Sequence, residues 1–457
     1  MIAGWVDRMP NAITTGNVWK SIIAFSVPYL ISYFLQTLYG MADLFIIGQF
    51  EGPASITAVA VGSQIMHMLT VMLVGLAMGT TVSIAQSVGA GNKERAARVT
   101  GNTVLLFMGL SIVLAILLIH QIDRIVGVMA TPPEAVKGTT DYLFICFLGI
   151  PFITAYNLVS SIFRGLGNSR TPTYFIAIAC IVNILLDFLF MGAFHMGPSG
   201  AALGTTLAQI FSVAISLFVM TSHNIGISVS RHDFHFDGSI MRDILKIGVP
   251  ISVQDGLIQI SFLIITMIAN QRGVTDAAAV GIVEKIISFI FLVPSSLLST
   301  VSALGAQNIG AGKPERAREF LYDAIKIAIG FGAVMIVLMQ FAAYGFVGLF
   351  TGDESVVAAG GPYLKGYILD CLFAGIHFSF SGYFCACGKS IYSFIHNITA
   401  IACARVPLVY WASVNFPDNL LPMGLATSVG SLVSVVICIF LFRHLLLQEK
   451  KMQHCGV

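Results

Sequence analysis

Twelve apolar runs follow one another along the chain, at roughly 20–48, 55–88, 99–119, 138–162, 172–191, 200–222, 244–270, 277–306, 320–343, 361–384, 391–411 and 423–445. Lipid offers no partner to a backbone N–H or C=O, so runs near the 20 residues needed to cross a bilayer span it as helices. The polar interruptions are short and leave no room for a separate soluble domain. Only 10% of the residues are charged, against about 25% in an ordinary globular chain. The first twenty residues hold no short apolar core with a small-residue cleavage site, so the first span is expected to serve as its own insertion signal.

The chain is also a duplication. AQSVGAGNKERA at Ala85 to Ala96 returns as AQNIGAGKPERA at Ala306 to Ala317, identical at eight of twelve positions, and such self-similarity outranks every other signal. FSVP ending at Pro28 pairs with KIGVP ending at Pro250, AVG at Ala60 with AVG at Ala279, and RGLGNS at Arg164 with CACGKS at Cys385, at spacings of 219 to 222. Each repeat holds six spans, an even number, so both start on the same side of the bilayer. The expected fold is an all-α integral membrane protein of twelve transmembrane helices, in two six-helix lobes related by a pseudo-two-fold axis along the membrane normal. The lobes are placed at 20–225 and 244–447, with a linker at 226–243. Pro28, Pro151, Pro250, Pro294 and Pro407 fall inside apolar runs, where each removes a backbone donor and can bend its helix.

Lys and Arg concentrate in one set of loops. Seventeen of twenty-four, from Arg8 and Lys20 through the two AQxxGAG loops to Lys450 and Lys451, lie on one side, whereas the other clearly carries only Arg124, Lys137 and Arg272. This predicts a multi-pass protein of a prokaryotic cytoplasmic (inner) membrane with both termini cytoplasmic. A net charge of +2 argues against nucleic acid as a partner. Among the eight cysteines there is no CxxC pair, and six lie in or beside apolar spans, so they are read as packing residues and no structural metal is expected.

Ionisable residues within spans are costly and mark ion or substrate paths. Asp43 stands on the first span with Gln36 two turns earlier on the same face, and Asn183 and Asp187 are one turn apart on the fifth. Two carboxyls and two amides from separate helices make a polar cage suited to a cation or a proton. Burial and a like-charged neighbour both oppose ionisation of a carboxyl, so such a pair can gain and lose a proton. The competing reading is that Asp43 caps its helix and that Asn183 and Asp187 join helices by hydrogen bonds. The second half has its own polar set: Gln254, Asp255 and Gln259, then Glu284 and Lys285, Asp370, His396 and Arg405. For Arg405 an ion pair with Glu284 or Asp370 competes with substrate contact. His67, Gln64 and His377 read as interior polar groups, with Gln64 retained as a possible cavity residue. Thirty-three Phe and eighteen Met suit soft contacts with varied organic cations and equally suit lipid-facing helices. Neither HExxH nor GxxxxGK[ST] occurs, so the chain is not expected to be an enzyme or to hydrolyse ATP.

At this point the motifs resemble a known family. The paired AQxxGAG loops, the LYGMADLFIIGQF segment carrying Asp43, the GLGNSRTP loop and the GPSGAALGT segment are similar to those of the MATE (multidrug and toxic compound extrusion) transporters, in the branch that includes MepA and the DinF proteins. The resemblance covers about 20 to 445. It implies alternating access and export of cationic or amphipathic organic compounds in exchange for H+ or Na+, with no cofactor and a monomer sufficient. It also implies a coupling site at Asp43, Asn183 and Asp187, where Na+ could bind, joined on the sixth helix by Thr205, beside Thr206. Gln36 and Tyr142 resemble residues bordering that site. Together with Gln64, Asp255, Gln259 and Glu284 they complete the cavity candidates. The NorM-like branch places acids on its seventh and tenth helices, but Asp255 and Asp370 are out of register with it. A lipid-linked oligosaccharide flippase of the same superfamily is the alternative, and it should show a cationic cavity.

Overall fold

The computed structural model describes residues 13–222 and 225–454, and among them helices account for nearly every residue and strands are absent. Arg8 lies outside the described residues. Twelve stretches are long and apolar enough to span a bilayer, the fourth being a bent pair. They are α1 (Val18–Phe50), α2 (Pro53–Gly89), α3 (Lys93–His120), α4 (Pro133–Leu148 with Ile150–Gly165), α5 (Arg170–Ala193), α6 (Gly197–Ser222), α7 (Gly238–Asn270), α8 (Val274–Gly310), α9 (Pro314–Gly348), α10 (Glu354–Ala386), α11 (Ser390–Asn415) and α12 (Leu421–Lys451). Most outrun the apolar runs read from the sequence, because polar caps at either end still satisfy helical geometry.

The duplicated loops are turn devices. Gly91 and Gly312 have φ of 70° and 71°, the left-handed conformation that glycine adopts without a Cβ penalty. Each closes its helix with a bond reaching five residues back, Asn92 N–H to Ser87 O and Lys313 N–H to Asn308 O, both 2.9 Å. The next helix starts at once: Asn92 caps α3 by accepting from the Arg95 N–H at 2.8 Å, and Pro314 opens α9. The second motif pair behaves alike, with left-handed Gly167 and Gly388.

Proline explains the breaks. Pro151, Pro294 and Pro407 each sit in the first turn after an interruption, at Gly149, at Phe291 and at the wide π-helical turn Ile401–Arg405. A proline removes the donor and crowds the carbonyl four residues earlier, so the ladder parts just ahead of it. The halves of α4 meet at 48°. Pro28 and Pro250 instead remain inside unbroken helices.

The chain divides into two compact units, one holding Ile23–Ser252 and Gly310–Gly312, the other Val18–Ile22, Val253–Ile309 and Lys313–Val457. In the first, α4 packs against α2, α3 and α6, and α5 lies along α6. Its apolar centre joins Ile46 and Ile47 to Tyr142, Leu143, Cys146, Phe147 and Met191. In the second, α10 holds the equivalent place against α8, α9 and α12, around Val280, Val283, Tyr363, Tyr367 and Cys371. The third span of each repeat turns a bare apolar stripe outward: Val113, Ile116 and Leu117 on α3, and Val334, Val337 and Leu338 on α9. At helical spacing and with no protein partner, such a stripe is a surface made for lipid. The linker is strapped to α3. Asp233 accepts from the backbone N–H and hydroxyl of Ser230 at 2.7 and 2.8 Å, and the Asp237 N–H donates to Asn102 at 2.8 Å.

Candidate functional site

Three helices of the first unit supply the site. On α1, Gln36, Tyr39 and Asp43 share a face because they stand three, four and seven residues apart. On α5, Asn183 and Asp187 are one turn apart, and Asp187 is the last residue before the π-helical turn Phe188–Ala193. Such a turn carries one residue too many for the α-ladder and is common where a helix presents functional groups. On α6, Gly204, Thr205 and Gln209 are the buried residues that meet the site.

The structure brings Asp43, Asn183, Asp187 and Thr205 together. The Thr205 hydroxyl donates to Asp43 Oδ2 at 3.1 Å, and Asp187 and Asn183 interact with Asp43 from α5. Asp43, Asn183 and Asp187 are 2%, 1% and 0% exposed. Gly204 makes this possible, since a Cβ there would stand 2.2 Å from Asp187 Oδ1. The set is under-satisfied: Asp43 Oδ1, both Asp187 oxygens and both polar atoms of the Asn183 amide are buried without a hydrogen-bond partner. Leaving one such group buried costs about 1–3 kcal/mol, and more when it is charged.

The border of the cage is partly as expected and partly new. Tyr142, buried against Gly62, lies within electrostatic reach of Asp43, and Gln36 faces Tyr156. Tyr39 stands between Asp43 and Gln209. Sequence reasoning passed over Tyr39, Gln209 and Gly204, although Tyr39 lies one turn before Asp43 and Gln209 one turn after Thr205. Thr206 points elsewhere, against Gly149, with its hydroxyl unpartnered.

The second unit holds a separate polar group. Arg405 donates to the Tyr367 hydroxyl at 2.5 Å and lies 4.8 Å from the centre of the Phe262 ring. Glu284 accepts from Thr266 at 3.2 Å, and Asp370 is fully buried with neither oxygen partnered. Of the two readings of Arg405, the ion pair with Glu284 or Asp370 is not formed among the described residues; the guanidinium takes a phenol and an aromatic face instead. His396 is held between the hydroxyls of Ser381 and Ser434, each at 2.8 Å. The remaining cavity candidates do not join this group. Asp255 faces its neighbour Gln254, which accepts from Ser393 at 2.8 Å. Gln259 is half-buried on α7, and Gln64 is exposed on α2. Among the described residues no three His, Cys, Asp or Glu side chains are grouped to hold a metal ion.

Comparison with known proteins places the fold. The chain is 28% identical over 416 residues to YpnP of Bacillus subtilis, described as a probable multidrug resistance protein, covering 91% of this chain and 93% of that one. It is 25% identical over 428 residues to the multidrug export protein MepA of Staphylococcus haemolyticus, covering 93% and 92%. Among solved structures, an outward-facing multidrug resistance MATE transporter superposes with a TM-score of 0.90 at 22% identity, covering 97% of this chain and 99% of that one. A transporter of the same superfamily from Pyrococcus furiosus, described as having a binding pocket of reversed polarity, gives 0.89 at 22% identity, covering 95% and 97%. The MatE family model matches the chain twice, at residues 28–189 and 250–411. Matched through both of its repeats, this multi-pass membrane protein belongs to the MatE family of transporters.

Proposed function

We propose that the protein is a secondary active exporter that moves cationic or amphipathic organic compounds out of a prokaryotic cell in exchange for H+ or Na+. The observation that carries this reading is the pair of buried carboxyls, Asp43 and Asp187, held side by side with three of their four oxygens lacking a protein donor. Proton uptake turns one carboxyl into a donor for the other. A small hard cation is equally suited to the oxygens of Asp43, Asp187, Asn183 and Thr205. Either occupant changes how α1 packs on α5 and α6, and that repacking is the event coupled to alternating access. The two six-helix lobes, 20–225 and 244–447, are the working units and 226–243 the cytoplasmic connection between them. Both termini face the cytoplasm, no cofactor is needed and a monomer suffices. The names of YpnP and MepA support the substrate class.

The test is export of a fluorescent organic cation from proteoliposomes under an imposed proton or sodium gradient, for wild type and Asp43→Asn side by side. Transport driven by one gradient and abolished in the variant identifies the coupling ion and ties it to Asp43. Normal export by a normally inserted Asp43→Asn protein would remove the site assignment. A second reading rests on Arg405, a buried cation with an unpartnered Nε: such a group suits the pyrophosphate of a lipid-linked oligosaccharide. Under that reading wild type moves no organic cation with either gradient.

A further inference from the structure

A cavity of about 510 Å³ opens in the second unit where α8 ends, α9 begins, α10 ends and the last turns of α12 pass by. Its walls are Ile309, Pro314, Leu445 and the ring of Tyr383, with Lys389 and Lys451 at its edge. Both lysines are exposed, and neither has an ion-pair partner among the described residues.

One carboxylate, Glu449, also lines the cavity. Arg318 pairs with it at 2.5 Å and with both oxygens of Glu315 at 2.8 and 2.9 Å, so one guanidinium is shared between two carboxylates. Arg318 is largely buried, contacts Tyr383, and keeps an Nε with no partner. The cavity therefore joins an apolar wall to two lysines that no described carboxylate pairs with. Lys389, Lys451 and Arg318 against Glu449 and Glu315 leave one positive charge in excess, at a bundle end that also carries Lys313, Arg316, Arg443 and Lys450. Gln448 is taken up by His444 at 2.8 Å and leaves the charge balance unchanged.

We propose that this cavity binds the anionic phosphodiester head of a membrane lipid, with Lys389 and Lys451 against the phosphate and the glycerol region along Ile309, Pro314 and Leu445. A free phosphate would share the lysines but make no use of the apolar wall. Basic groups attract anionic lipid, so removing both lysines should lower retention of the lipid by roughly tenfold.

The full-length protein in detergent, examined by native mass spectrometry, tests this with phosphatidylglycerol and phosphatidylcholine as probes and inorganic phosphate as competitor. Wild type should retain phosphatidylglycerol in preference to phosphatidylcholine, and the pair Lys389→Gln and Lys451→Gln should lose that preference. A charge-matched pair in the first unit, Lys93→Gln with Arg231→Gln, should keep it. Thermal unfolding of all three proteins serves as the check on folding. Equal phosphatidylglycerol retention by wild type and the lysine pair overturns the proposal, as does equal loss in the matched pair. Displacement by millimolar inorganic phosphate assigns the cavity to a soluble phosphate and overturns the lipid assignment.

Discussion

Gly204→Ala separates the role of the carboxyl cage from the stability of the helix that faces it. The new Cβ would lie 2.2 Å from Asp187 Oδ1, and the next nearest atoms are Asp187 Cγ at 3.3 Å and the Asp187 backbone nitrogen at 3.5 Å. An ordinary contact needs more than 3 Å, so the oxygen must retreat by about 1 Å. The backbone need not move, and turning the short side chain costs about 0.5–1.5 kcal/mol. Alanine in a helix interior returns about 1 kcal/mol relative to glycine, so the net change in stability should be within about 1 kcal/mol of zero. Function should respond differently, because the displaced oxygen belongs to the pair proposed to carry coupling. Gly109→Ala on α3, where a Cβ meets nothing within 4 Å, is the control. Thermal unfolding should find both variants close to wild type, while gradient-driven dye export from proteoliposomes falls at least tenfold in Gly204→Ala only. Equal export by the two variants would refute the argument that Asp187 must sit against α6.

Three further outcomes test other parts of the molecule. Arg405→Lys exchanges a planar group bonded to Tyr367 and stacked near Phe262 for a point charge, and should lower stability by about 1–3 kcal/mol in thermal unfolding; an unchanged midpoint would count against the structural role. Gly101→Ala puts a Cβ 2.1 Å from the Asp233 carbonyl oxygen, which only backbone movement can relieve at about 1–3 kcal/mol. Limited trypsin digestion should then cut faster at Arg231, and an unaltered rate would show that the linker is not held at α3. Hydrogen bonds from Ser230 hold the Asp233 carboxyl below its ordinary value of 3.8, aided by His232 and Arg98. A depressed acid stabilises above its unfolded pKa and loses that contribution as pH falls through the folded value. Exchange of the Ser230 amide, corrected for intrinsic rates, should accelerate below about pH 4 in wild type and be fast at all pH values in Asp233→Asn.

Most of the fold was legible because two independent signals agreed: apolar runs of spanning length and a repeat holding a fixed offset. Lipid forces each run to satisfy its own backbone, so length and composition alone specify a helix. Breaks were harder to see. All five prolines look alike in sequence, yet Pro28 and Pro250 stay within continuous helices whereas Pro151, Pro294 and Pro407 follow interruptions. Asp43, Asn183 and Asp187 were visible because charge at apolar depth is rare. Gly204 was not, since a glycine that admits a carboxylate looks like any other small residue in a membrane helix. Thr205 and Thr206 could be told apart only by the direction of α6. Arg405 drew an expected carboxylate partner on charge alone, and the nearby phenol and aromatic ring proved the closer fit.

The fifth helix of each repeat widens into a π-helical turn, Phe188–Ala193 and Ile401–Arg405. Arg405 stands 222 residues after Asn183, the same interval that separates Pro28 from Pro250. The two turns themselves begin 213 residues apart, nine short of that interval, so each repeat bends its fifth helix at its own place, beside carboxyls in the first and at a guanidinium in the second. Duplication released each copy from serving every purpose, so each half can set the charge at its own bend. A substitution at one bend then leaves the chemistry at the other undisturbed.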